Sequence, residues 1–271
     1  MPTTDSGVRS AAVTGGTGSI GKAISRQLAA KGYSVTICSR DEKKSQQAVK
    51  DIISTTGNES VDYQLVDLSR LESIKELRRR WSGPLDILIN NAGTTPKERE
   101  ETPEGIELQF ATNVLGYFWM IQEFKDLLIE SSPSRIINVA SYWAGGLDLN
   151  DLEFEQRPYS NGAAYRQSKQ ADRMLTVAVA DRLKQFNVTV NACHPGDVNS
   201  TLSNNLGFGG HQTPDQGAET PVWLATSPAV KNVTGQYFER KKQVHCPYGD
   251  DKQKVESLYQ ICSQYGSEAD T

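Results

Sequence analysis

The sequence is short of the features that mark membranes, secretion and nucleic-acid binding. No apolar run approaches the roughly 18 residues that would span a bilayer. The stretch Met1-Pro2-Thr3-Thr4-Asp5 is polar and has no apolar h-region, so neither a signal peptide nor a membrane anchor is expected. Cysteine is scarce. Cys38, Cys193, Cys246 and Cys262 lie far apart with no Cys-x-x-Cys, which argues against a disulfide framework or a zinc site and for reduced thiols in a cytoplasmic protein. Positive charge is in deficit: 29 Lys and Arg face 33 Asp and Glu, for a net charge of -4, and the longest basic run is Arg78-Arg79-Arg80. Such a surface offers nothing to nucleic acid or anionic lipid.

The 271-residue chain does contain a regular alternation of short apolar runs with longer helical patterns. Ala11–Val13, Ser34–Cys38, Tyr63–Val66, Leu85–Ile89, Ile136–Val139 and Val188–Ala192 read as strands, the most apolar of them as strands covered on both faces. Helical segments are expected near 20–31, 42–56, 70–80, 104–130 and 163–185, with a late strand at Gln236–Phe238 on the sheet edge. This β-α alternation implies right-handed crossovers and an α/β fold built on a doubly wound, mostly parallel sheet with helices on both faces. Residues 1–271 read as a single domain, with a core over 8–245 and a polar tail over 247–271, helical near Asp251–Ile261 and frayed at its end.

The first strand runs into Thr14-Gly15-Gly16-Thr17-Gly18-Ser19-Ile20-Gly21 and then into a helix. Strand, glycine-rich turn and helix form the context of a dinucleotide site, because glycines let the backbone approach a pyrophosphate seated on the helix N-terminus. The second strand ends at Ser39-Arg40. An arginine there favours a 2′-phosphate and hence NADP(H), although the adjacent Asp41 offers a carboxylate to a ribose hydroxyl instead.

Tyr165 and Lys169 stand four residues apart, on one face if their segment is helical. An ammonium beside a phenol favours the phenolate, so Tyr165 is expected to ionise well below the ordinary tyrosine value of ~10 and to serve as a proton donor and acceptor.

With these residues in place the chain resembles the short-chain dehydrogenase/reductase family over roughly residues 8–245. The likeness also rests on Asp67-Leu68 after the third strand, Asn90-Asn91-Ala92-Gly93 after the fourth, Asn113 in the next helix, Ser141 closing the fifth strand and Pro195-Gly196 after the sixth. It implies a Rossmann fold in which Gly15, Thr17, Gly18, Ser19, Ile20 and Gly21 hold the pyrophosphate of NADP(H). Asp67 and Leu68 would meet the adenine, and Asn90, Ala92 and Gly93 the ribose and nicotinamide side. Pro195, Gly196, Val198 and Ser200 would meet the carboxamide end. Tyr165 would be general acid or base, Lys169 would lower its pKa and hold the nicotinamide ribose, and Ser141 would bond the substrate oxygen. Asn113 would support a water-linked proton relay through Lys169. The chain departs from the family turn at Ser19, which replaces its middle glycine and puts cofactor affinity in question. Ser200 stands for a usual threonine and keeps a hydroxyl.

The long connection from Ser141 to Tyr165, with Glu155-Gln156-Arg157-Pro158-Tyr159, resembles the retinol dehydrogenase and protochlorophyllide reductase branch. That likeness implies a bulky lipophilic alcohol or carbonyl substrate. Tyr142, Trp143, Leu147, Leu202, Leu206 and Phe208 could line its pocket, under a mobile lid at 202–216. Family members often form homo-oligomers. Two other functions fit the same residues: reduction of a carbon–carbon double bond by the same Tyr/Lys pair, and a non-catalytic NADP-binding sensor. The second has no need of a reactive phenol. No metal site is expected.

Overall fold

The computed structural model describes residues 7–266; the polar N-terminal stretch and the last five residues of the expected tail lie outside the described residues. Eight strands form one sheet in the order β3-β2-β1-β4-β5-β6-β7-β8. They are β1 (Ser10–Thr14), β2 (Ser34–Ser39), β3 (Val61–Leu65), β4 (Ile87–Asn90), β5 (Ser134–Val139), β6 (Val188–His194), β7 (Tyr237–Glu239) and β8 (Lys242–Val244). All pairings are parallel except β7 with β8.

Central strands bury both faces, and successive residues feed two separate cores. Ala12, Leu88, Ile136 and Val190 point to one side, where they meet α3 (Leu71–Arg80), α4 (Gly116–Glu130), α5 (Asn161–Leu183) and α8 (Lys252–Gln264). Val13, Ile37, Ile89 and Ile137 point to the other, against α1 (Ser19–Ala29), α2 (Glu42–Thr56) and α7 (Pro214–Thr226). The two-residue strand period therefore fills two layers of helices, as a parallel sheet requires. A short helix, α6 (Thr201–Asn205), follows β6.

Several elements differ from expectation, among them α6 and α7, where no helix was expected. The segment expected to be helical from 104 is a turn at first: Gly105 takes φ +83°, Thr102 Oγ1 accepts from Glu104 and Ile106, and Glu101 bridges Glu107. The Glu107 carboxylate then accepts from the N–H groups of Gln109 and Phe110, which starts the helical run there. That run opens with a π-helical turn, Phe110–Leu115, before α4. At the sheet edge, β7 is covered by β8 through a two-residue hairpin in which Arg240 and Lys241 take φ +50° and +61°. Its exposed, charged sequence carries no alternating pattern, so β8 was silent in the sequence.

The C-terminal segment is more than a polar tail. Asp251 caps α8, and Val255, Leu258 and Cys262, at helical spacing, are buried in the same core as α4 and α5. Tyr259 stacks edge-on to Phe118 with centroids 5.2 Å apart and carries the Arg182 guanidinium over its face at 3.6 Å. Leu258→Ala should cost roughly 2–5 kcal/mol, as for other fully buried leucines. Urea unfolding at constant slope checks this, and an unchanged midpoint would make α8 an appendage.

Candidate active site

The carboxyl ends of β1 and β4 define a crevice at the point where strand order reverses, the position at which open α/β sheets bind ligands. Thr14 ties its two walls together. Its hydroxyl accepts from Asn91 N at 2.9 Å and Ala92 N at 3.2 Å, while Asn91 Nδ2 donates to Thr14 O at 3.0 Å. A cavity of about 370 Å³ opens here. Its walls are the turn residues Gly15 and Thr17 to Gly21, then Arg40, Asp41 and Lys44, then Asp67 and Leu68, and finally Asn91 to Thr94 with Ser200 and Leu202.

The turn suits a dinucleotide phosphate. Gly15 takes φ +63°, and a Cβ on Gly21 would strike the Gly15 carbonyl and stand 2.6 Å from Asn91 Nδ2. The N-cap of α1, Gly18, has no side chain to occupy the first-turn N–H groups, which leaves them for an anion. Ser19 opens α1 with no positive φ, so the missing middle glycine imposes no backbone strain. The turn is also tethered to the end of β2, since Thr17 Oγ1 lies 3.1 Å from Ser39 Oγ.

At the far end Arg40 is exposed on the cavity wall, and Lys44 adds a second cation that sequence reading missed. Asp41 is largely committed: its carboxylate caps α2 by accepting from Lys44 N at 3.0 Å and lies 3.4 Å from Lys44 Nζ. The backbone bond from Lys44, with its ammonium, holds that carboxyl below its ordinary value. Asp67 reaches the cavity while accepting from Ser69 N and Oγ.

Ser141, Tyr165 and Lys169 come together one layer beyond the Gly93 end of the cavity. Tyr117 joins the two. Its hydroxyl donates to Ala92 O at 2.9 Å, its ring lies 5.0 Å from Lys169 Nζ, and Lys169 Nζ donates to Val139 O at 3.0 Å. The Ser141 hydroxyl accepts from Trp143 N and lies near enough to Tyr165 to favour its phenolate. The Tyr165 ring faces Trp143 at 6.0 Å, and Trp143 meets Phe208 at 5.3 Å, forming an aromatic wall; Tyr142 is half exposed against His194. Leu202 lies over Gly93 from α6, which Ser200 caps in a reciprocal pair with Ser203. The segment expected as a lid thus includes a formed helix, and its last residues already belong to α7. Leu147 packs on the main core instead.

Several sequence expectations need correction. The Asn90 side chain is fully buried between β4 and β5, donating to Asn138 Oδ1, and its neighbour Asn91 takes the cavity wall. Strand alternation explains the swap. Pro195 and Gly196 line a separate cavity with Gln212 and Glu219, and Val198 is buried, bridged to Gln212. Asn113, expected to support a water-linked relay, engages its side chain with Thr94 N and O and with Ser168. Tyr165 is not a ready phenolate either. Burial raises its pKa above the ordinary value, and the opposing pull of Lys169 and Ser141 does not overcome this.

The reason lies partly in Asp172, another residue missed in the sequence. Lys169 Nζ donates to Asp172 Oδ2 at 2.8 Å, and both side chains are almost wholly buried. Burial opposes the Lys169 charge, but the Asp172 carboxylate, with Tyr117 and Tyr165, outweighs it and holds its pKa above the ordinary lysine value.

A glycine-lined crevice at the switch point of a doubly wound sheet, beside a Ser–Tyr–Lys cluster, defines a nucleotide-linked oxidoreductase scaffold. The short chain dehydrogenase family model matches residues 9–207, and the chain belongs to that family. Its family uses NAD(P)(H), and the chain is an oxidoreductase of alcohol and carbonyl groups. It is 36% identical over 266 residues to a probable oxidoreductase of Streptomyces antibioticus, covering 90% of this chain and 89% of that one. It is 35% identical over 268 residues to human retinol dehydrogenase 13, covering 91% and 81%. Among solved structures it resembles Pseudomonas aeruginosa RhlG in an NADP active-site complex, with TM-score 0.69 and 27% identity over 85% of this chain and 93% of that one. Among the described residues no helix is long and apolar enough to cross a membrane.

Gly21→Ala should weaken dinucleotide binding at least tenfold, because the methyl must displace backbone as well as Asn91. Nicotinamide fluorescence titration checks it; unchanged affinity would mean that the turn does not cradle the phosphate.

Proposed function

We propose that the chain is a cytoplasmic NADP(H)-dependent oxidoreductase that interconverts a lipophilic alcohol and its ketone or aldehyde, with Tyr165 as general acid and base. The observation that carries this reading is the Ser141–Tyr165–Lys169 cluster one layer from a dinucleotide-shaped crevice whose other end presents Arg40 and Lys44. When bound, the nicotinamide dinucleotide supplies or accepts the hydride. Ser141 and Tyr165 present two hydroxyls to one substrate oxygen, stabilising the charge that develops on it. In reduction Tyr165 gives its phenolic proton to that oxygen; in oxidation the phenolate takes the proton back. Lys169 stabilises the phenolate from beneath.

Arg40 and Lys44 support NADP(H) over NAD(H), because Asp41 is occupied as a helix cap and as the partner of Lys44, and both cations line the cavity end that would meet a 2′-phosphate. The aromatic wall of Trp143 and Phe208, and the name of the human relative, support a lipophilic substrate.

Tyr165→Phe should retain NADPH binding and lose roughly 10²–10⁴-fold in turnover, measured with retinal as probe aldehyde. Turnover near wild type would remove Tyr165 from the chemistry. Replacing both Arg40 and Lys44 by alanine should weaken NADPH roughly tenfold or more and leave NADH nearly unchanged. Equal losses would assign the two cations elsewhere.

A further inference from the structure

Lys169 and Asp172 form an i,i+3 ion pair on α5 inside the protein, with 4% and 0% of their side chains exposed. Nothing about a general acid demands a buried carboxylate three residues beyond its lysine. A buried carboxylate costs several kcal/mol to desolvate, and removing one partner of such a pair is far worse than replacing both. The Asp172 side chain has one engaged oxygen, Oδ2, and its partner is Lys169; Oδ1 is buried without a hydrogen bond. The carboxylate's one side-chain hydrogen bond therefore goes to the lysine, while its charge also bears on Tyr165 and Cys262.

The lysine needs it. Its other neighbours are neutral: Val139 O from β5, the Tyr117 phenol from α4, the Tyr165 phenol from α5 itself and Cys193 from β6. Cys262 of α8 is buried within reach of the Asp172 charge. The nearby cation Arg173 turns away, donating to Ser141 O and lying 3.6 Å over the Tyr237 ring. Burial among neutral groups alone can lower a lysine pKa by roughly 3–5 units, enough to discharge it near neutrality. A discharged Lys169 would no longer stabilise the Tyr165 phenolate.

We propose that Asp172 is a positioning residue of this site: its carboxylate keeps the Lys169 ammonium charged and seated beneath Tyr165. The proposal rests on the reading of Tyr165 as acid and base, and extends the working unit from three side chains to four. It also brings α8 into account, since its buried Cys262 feels the Asp172 charge.

The ionisation of Lys169 can be read directly, without substrate or cofactor, from the carbon-13 shift of its Cε in the full-length protein. Lys169→Met identifies the signal. In the wild type this lysine should stay charged beyond the ordinary lysine value of ~10.4. In Asp172→Asn it should lose its proton at least two pH units lower, and turnover of retinal should fall above the same midpoint. A lysine that remains charged in Asp172→Asn, whatever the loss of activity, would reduce Asp172 to a packing role and overturn the proposal. A second measurement covers poor folding of that variant. Lys169→Met strands a buried carboxylate, so adding Asp172→Leu should raise its thermal midpoint; a double variant no more stable than the single one would also overturn it. Failure of the acid–base reading itself shows separately, in the turnover of Tyr165→Phe.

Discussion

The structure depends on the junction between β1 and β4. These strands are neighbours in the sheet but distant in sequence, and their carboxyl ends must stay apart to leave a crevice yet be held in register to shape it. Thr14 and Asn91 meet both demands. One hydroxyl accepts two backbone N–H groups from the opposite loop, and one side-chain amide returns a bond to the turn. Buried backbone groups that cannot reach water are satisfied in the act of fixing the cavity. The glycine turn, the first helix and the Asn91–Thr94 wall all take their positions from this clamp.

The reactive cluster obeys a different constraint, the cost of charge in a dry interior. β5 and α5 bring a serine, a tyrosine and a lysine together beneath a layer of aromatic rings, where burial disfavours both the phenolate and the ammonium. The parallel sheet makes such burial unavoidable, because both faces are covered. The ion pair on α5 offsets the cost on the lysine side. The tyrosine is left protonated, which suits the proposed role of giving a proton before taking one.

Much of this was legible in the sequence where the signal is local. Strand alternation, the glycine turn at the end of β1, Arg40 at the end of β2, Ser141 at the end of β5 and the four-residue spacing of Tyr165 and Lys169 all follow from short-range periodicity and backbone sterics. The less legible parts are contacts between distant segments. Nothing in Asn90-Asn91 says which side chain faces the crevice until β4 ends and the strand parity is fixed. Lys44 reads as an ordinary helix-surface lysine until α2 is docked beside the turn. The charged stretch of β8 reads as loop, and the apolar stripe of α8 is diluted by polar neighbours.

The sequence by itself determined the fold class, the crevice turn and the four-residue spacing of Tyr165 and Lys169, because each is set by residues within a turn or two of one another. Tertiary structure decided the electrostatic state of that pair. Whether an ammonium beside a phenol lowers its pKa depends on how much water surrounds both and on which carboxylate shares the space. Those quantities arise only when β5, α4, α5 and α8 close around Tyr165, Lys169 and Asp172.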